Sequence, residues 1–175
     1  HFGYFQVDIR TGKGYYINGG TMQAGGLSYD WYIKNLCCDN PSYAEMEKQI
    51  TSVSPGADGM LYMPYILGER APYFDTGAKG AFLGLKATHT RAHMSRSVME
   101  GVALHLAIIL NRMEKLDTVD SVRIVGGGAK SAAWRQILAD VFQKSIIKTN
   151  VDLNAGSLAQ QYWPALGRVY FPTYR

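Results

Sequence analysis

Between Val122 and Thr149 the chain runs through a β-branched stretch, three consecutive glycines, an amphipathic stripe and a second β-branched stretch. This order limits the fold more than any other feature. Val122-Arg-Ile-Val125 reads as a short strand, which Gly126-Gly127-Gly128 ends. Trp134, Ile137, Leu138, Val141 and Phe142 then recur at the spacing of a helix with one apolar face. Ile146-Ile-Lys-Thr149 reads as a second strand. A strand, a crossover helix and a strand bury their apolar faces together only as a βαβ unit with parallel pairing. The fold class is therefore α/β.

The remaining elements follow from the same two periods. Residues 4–9 and 15–18 alternate and are aromatic or β-branched, and Thr11-Gly12-Lys13-Gly14 separates them, which predicts a β-hairpin. The chain starts within two residues of this strand, so a sheet opened at its N-terminal side is expected. Gly25-Gly26 precedes an expected helix over 27–36, and a short helix is expected over 43–50. Residues 60–67 read as a buried strand and 68–80 as a long loop. Thr90 is placed to cap the longest helix. Its stripe runs through Met94, Val98, Val102, Leu106, Ile109, Met113 and Leu116. A last helix is expected from Ala155 or Gly156, and Pro164 interrupts it.

Composition narrows the class. With 47% hydrophobic and 18% charged residues over 175 positions, the chain has the make-up of one folded domain. Its longest apolar stretch, residues 102–110, is broken by His105 and falls far short of the ~20 residues that span a membrane. No membrane partner is expected. Two adjacent cysteines, Cys37 and Cys38, cannot build a disulfide framework, which suits a cytoplasmic protein. Eighteen Lys and Arg against fourteen Asp and Glu give a net charge of +4 without any basic run. That balance suits an anionic small ligand and argues against nucleic acid, which needs basic residues clustered on one face.

Few residues carry a chemical signal by themselves. Three glycines between a strand and a helix allow close backbone approach to an anion or polar ligand at the helix N-terminus. The same residues equally make a plain strand-to-helix turn with Ser131 as N-cap. Lys130 follows alanine, so this is not a Walker A loop, and Ser131 takes the last glycine's place in Gly-x-Gly-x-x-Gly. Gly25-Gly26 is a ligand turn or a helix entry, and Asp30 is a ligand neighbour or an acid complementing the dipole of the first turn. Glu69, Arg70 and Asp75 line a cleft or form a local surface ion pair. His89 and His93 stand four apart but lack the surrounding acids of a zinc site, so capping or packing is expected of them and of His105. No nucleophile motif and no acid–base pair stands out.

Four stretches together resemble the FGGY carbohydrate kinases. Gly80-Ala-Phe-Leu-Gly-Leu85, seven residues, then His93-Met-Ser-Arg-Ser-Val-Met-Glu100 is similar to that family's second signature. Leu67-Gly-Glu-Arg-Ala-Pro-Tyr-Phe-Asp75 resembles its Gly-Glu-Arg-x-Pro-x-x-Asp loop. Gly126-Gly-Gly-Ala-Lys-Ser-Ala-Ala-Trp-Arg-Gln136 resembles its adenosine-binding turn and helix, and Gly25-Gly-Leu-Ser-Tyr-Asp-Trp31 another nucleotide-contacting turn. The wording is nearer the xylulokinase and gluconokinase branches than the glycerol kinase branch.

The resemblance implies an actin-like, ribonuclease-H-like second domain with a mixed sheet and flanking helices, spanning residues 1–175 and lacking its N-terminal strands. It implies ATP-dependent phosphorylation of a sugar or polyol, a pentulose such as xylulose first and gluconate next, with ATP and Mg2+ as cofactors. It places Gly26 beside the nucleotide phosphates with Asp30 nearby, Gly127 against adenosine, and Ser131 within reach of the base. No catalytic residue and no metal ligand is expected in this chain. The phosphate loop and the aspartate base belong to the family's first domain, the expected partner, so the chain alone is expected to be inactive. A homodimer is compatible with the resemblance. A non-catalytic nucleotide-binding or regulatory module on the same fold is the alternative. Residues 150–175 depart from the family pattern, with Asn154 near the place of a usual glutamate.

Overall fold

The computed structural model describes residues 2–7, 14–116 and 118–148. Thr11-Gly12-Lys13 of the expected hairpin turn and the expected last helix near Ala155 lie outside the described residues. Strands β1 (Phe2–Val7) and β2 (Gly14–Gly19) pair antiparallel, as the alternation predicts, with Tyr4 opposite Ile17.

Helix α1 spans Gly25–Leu36, so it begins two residues before the predicted start and takes both glycines into its first turn. Asp30 therefore sits in the second turn and not the first, and the reading of it as a first-turn acid is corrected. Helix α2, Tyr43–Thr51, opens on a capping box in which Ser42 and Glu45 bond to each other's backbone N–H. Strand β3 is only Leu61–Met63, shorter than the predicted 60–67. Pro64 follows it, has no N–H to give a ladder, and ends the pairing. Strand β4, Ala81–Leu83, pairs antiparallel with β3 and was not evident from a three-residue apolar run.

Helix α3, Arg91–Glu114, is the axis of the domain and packs against α1, α2, β3 and the last helix. Its interior glycine explains how closely β3 approaches. A Cβ on Gly101 would lie 2.1 Å from the Tyr62 carbonyl oxygen. Strand β5 (Ser121–Ile124), helix α4 (Ala132–Phe142) and strand β6 (Ser145–Lys148) form the predicted βαβ unit, with β5 and β6 parallel. The pairing is mixed, as expected, although the described strands form three two-stranded ribbons.

Two apolar clusters hold these elements. One joins Met99, Val102, Ala103 and Leu110 of α3 to Val122, Ile124 and the α4 stripe Trp134, Ile137, Leu138 and Phe142. The other joins Tyr32 and Ile33 of α1 to Met46, Tyr62 and Val98. Each helix that carries a candidate residue is thus fixed by its own core contacts. Among the described residues, no helix is long and apolar enough to cross a membrane.

Candidate functional site

The three glycines after β5 differ in why they are glycine. Gly126 has φ 81° and ψ −166°, a conformation essentially closed to residues with a Cβ. At Gly128 a Cβ would press 3.1 Å from the Trp134 indole, so packing holds that place. Gly127 has neither reason: its φ lies outside the left-handed region and nothing lies within 4 Å of a Cβ built on it. Its backbone opens the short 3-10 turn Gly127–Lys130 and is exposed. Arg135 ties this turn down by donating to the Ala129 carbonyl at 2.6 Å and the Ser131 carbonyl at 3.2 Å.

Gly26 repeats the pattern at the start of α1. It is exposed, its φ is unremarkable, and nothing lies within 4 Å of a built Cβ. Glycine in a helix costs up to about 1 kcal/mol relative to alanine. Nothing within the described chain explains why that cost is borne at Gly26. The first turn of α1 also carries no side-chain cap, because Ala24 precedes it. Its first N–H groups have no side-chain acceptor, and the positive end of the helix dipole lies at Gly25-Gly26.

Ser131 is the N-cap of α4, accepting the Trp134 N–H at 3.0 Å. The capping reading of the turn is thus present in the structure, and the Ser131 N–H also donates to the Gly128 carbonyl at 3.3 Å. Helix α2 supplies two residues the sequence reading missed. Glu47 Oε1 accepts the Ser131 hydroxyl at 3.1 Å and the Ala133 N–H at 2.8 Å. The Tyr43 hydroxyl donates to Asp30 Oδ1. Tyr43 and Glu47 are four apart and share one face of α2. That face thus reaches Asp30 on α1 and Ser131 on α4. The Asp30 carboxylate and partial burial push the Tyr43 phenol up to about 12. Burial, then the nearby Tyr32, pushes Tyr29 up as well. Apart from the i,i+4 spacing on one helix, no motif marks Tyr43 or Glu47.

Behind the Gly25-Gly26 turn lies a buried polar cluster. Glu69 is 3% exposed, which corrects the expectation of a local surface ion pair. Its Oε1 accepts the backbone N–H groups of Gln23 at 2.8 Å and Arg70 at 2.7 Å. His105, reaching over from α3, brings Nε2 to 3.1 Å from Glu69 Oε2 and 2.9 Å from the Ala71 carbonyl. Both neighbours are acceptors, so Nε2 carries the hydrogen. The Ala71 N–H in turn donates to the Thr21 carbonyl at 3.1 Å. The Gly-Glu-Arg loop therefore grips residues 21–23, immediately before the open glycines of α1.

His89 and His93 cap and pack. His93 Nδ1 accepts the Thr90 N–H at 3.2 Å at the start of α3, and His89 lies 3.3 Å from Asp58. Among the described residues, no group of three or more His, Cys, Asp or Glu is placed to hold a metal ion.

Comparison with known proteins gives these residues a family. The C-terminal domain of the FGGY family of carbohydrate kinases matches residues 5–158. The chain belongs to that family. A xylulose kinase of Bacillus subtilis is 36% identical over 155 residues, covering 87% of this chain and 29% of the relative. A gluconokinase of Bacillus licheniformis is 34% identical over 148 residues, covering 77% of this chain and 28% of the relative. A ligand-bound xylulose kinase structure from Lactobacillus acidophilus superposes with a TM-score of 0.77 at 26% identity, over 90% of this chain and 33% of that one. Glycerol kinase of Plasmodium falciparum, solved with ADP, shares the fold at a TM-score of 0.74 and 21% identity. The fold is that of the actin-like sugar kinases. This FGGY chain spans about three tenths of the length of the relatives it matches.

Proposed function

We propose that this chain is the nucleotide-side domain of an ATP-dependent kinase acting on a sugar or polyol, a pentulose such as xylulose first and gluconate next. The observation that carries the reading is the pair of open glycines. Gly26 and Gly127 are exposed, unstrained and uncrowded, so the described residues give no reason for glycine at either place. A nucleotide lying against both backbones gives one. In this reading the triphosphate faces Gly26 and the uncapped turn of α1, whose dipole favours an anion, with Asp30 nearby. Adenosine lies against Gly127, and the Ser131 hydroxyl meets the base.

ATP supplies the phosphoryl group, which passes to a hydroxyl of the sugar while the hydroxyl's proton goes to a base. Catalysis of this kind is mostly positioning and charge neutralisation. The positioning part fits the residues described here. Among the described residues no three or more His, Cys, Asp or Glu are grouped to hold a metal ion, and no step is assigned to them through Mg2+. The base, the phosphate loop and the main sugar contacts are assigned to the preceding domain that the longer relatives carry. The three nearest readings of substrate separate in one experiment. ADP release by the full-length protein is measured with ATP and each of xylulose, gluconate and glycerol. Turnover on xylulose or gluconate above glycerol is expected, and no turnover on any sugar or polyol would overturn the reading.

A further inference from the structure

The hydrogen bonds around Ser131 leave it one way to face a ligand. Its hydroxyl donates its single hydrogen to Glu47 Oε1 at 3.1 Å and accepts the Trp134 N–H at 3.0 Å. A serine hydroxyl has one hydrogen and two lone pairs. After these two bonds only a lone pair remains. The direction of the Glu47 bond is fixed from the far side, because the same Oε1 also accepts the Ala133 N–H at 2.8 Å. That oxygen faces Ser131 as an acceptor, and the hydroxyl must give it the hydrogen.

We propose that Glu47 is a specificity-determining positioning residue: by holding the Ser131 hydrogen it presents Ser131 to the base as an acceptor, and so selects a 6-amino purine over a 6-oxo purine. This rests on the reading that Ser131 meets the base, at the edge that carries the 6-substituent. The exocyclic amine of adenine carries N–H donors that suit a lone pair. The carbonyl of hypoxanthine or guanine would set lone pair against lone pair. A site built with a polar group of fixed direction rejects the mismatched analogue, because the mismatch leaves a desolvated group unpaired. Glu47 itself need not touch the nucleotide.

The test is equilibrium binding of ADP and IDP to the full-length protein by calorimetry, which needs no knowledge of the sugar. These two nucleotides differ at the purine 6-position and in the hydrogen that the 6-oxo form carries on N1. The wild type is expected to bind ADP about tenfold or more tightly than IDP. Glu47→Gln keeps an amide oxygen facing Ser131 and Ala133, and is expected to keep the preference. Glu47→Ala frees the hydroxyl to turn and donate, and the preference is expected to fall to about twofold or less, chiefly through tighter IDP binding. Ser131→Ala removes the lone pair and is expected to lose the preference while Glu47 stays in place, which keeps the test open if Glu47→Ala does not fold. A wild type that binds ADP and IDP alike, or a preference that survives Glu47→Ala or Ser131→Ala, would overturn the inference. Loss of sugar phosphorylation with the ADP preference intact would count against the kinase reading alone.

Discussion

Replacing Gly127 by valine separates a ligand reason for that glycine from a folding reason. A Cβ at this position meets nothing within 4 Å, and φ is not in the left-handed region. The added Cβ therefore meets none of the described residues when no nucleotide is bound, on a residue that is itself exposed. Exposed substitutions of this kind change stability by no more than about 0.5 kcal/mol in either direction. With adenosine against the Gly127 backbone, the added carbons occupy the ligand's contact layer. Overpacking an interface that fits closely costs about 1–3 kcal/mol. That is roughly a fivefold to 150-fold rise in the ATP dissociation constant, at about 1.4 kcal/mol per factor of ten. Calorimetric titration of the full-length protein with ATP reads the affinity, and thermal unfolding without nucleotide reads the fold. The expected pair of results is an unmoved melting temperature and a weakened ATP affinity. An ATP affinity within twofold of wild type, on a protein that melts normally, would refute the placement of adenosine at this turn. A large fall in melting temperature would refute the claim that the fold leaves Gly127 free.

Gly101→Ala should give the opposite signature, because its Cβ would stand 2.1 Å from the Tyr62 carbonyl oxygen. Helix propensity alone would favour alanine by about 1 kcal/mol. The clash with backbone outweighs it, and urea titration should give a net loss of about 1–3 kcal/mol; a stabilised variant would mean that β3 can retreat from α3. Trp134→Ala should cost about 3–5 kcal/mol in the same assay, since the indole is buried in the larger core cluster. A loss under about 1 kcal/mol would show that the α4 stripe is not core. Alkaline pH should destabilise the domain. Burial pushes the Tyr32 phenol up from 10.0 to about 12, and Tyr43 is pushed up to about 12 by Asp30. The unfolded chain then releases phenol protons first, so stability holds below pH 10 and falls as the pH rises toward 12. A melting temperature that stays constant between pH 9.5 and about 12 would contradict this.

What the sequence revealed depended on whether the cause was local. The α4 stripe, the glycines that end β5 and the parallel return of β6 are all set by residues within one short stretch. They appear in the structure nearly where periodicity placed them. Ser131 as an N-cap is equally local, because cap and partner lie three residues apart. The strand expected over 60–67 was overcalled. An apolar run is not a ladder, and Pro64 stops the pairing after three residues. The polar contacts that α2 and α3 make into the candidate site were not legible, because they join distant parts of the chain. Glu47 and Ser131 are 84 positions apart, and Ala71 and His105 are 34 apart. Only the packing of α2 and α3 brings such pairs together.

The glycine turn shows what this distinction means for function. In sequence, Gly126, Gly127 and Gly128 are one undivided signal, for which a turn and a ligand site are equally good explanations. In the structure the three separate by cause: Gly126 serves a backbone angle, Gly128 makes room for Trp134, and Gly127 serves nothing within the described chain. Gly26 stands in the same position as Gly127, exposed and uncrowded in a helix that would be firmer with alanine. Neither glycine has a reason among the described residues, and one face of α2 bonds to Asp30 on the helix of the first and to Ser131 beside the turn of the second. On the proposed reading, a ligand that needs bare backbone at both ends, an anion at one and a polar ring at the other, accounts for both.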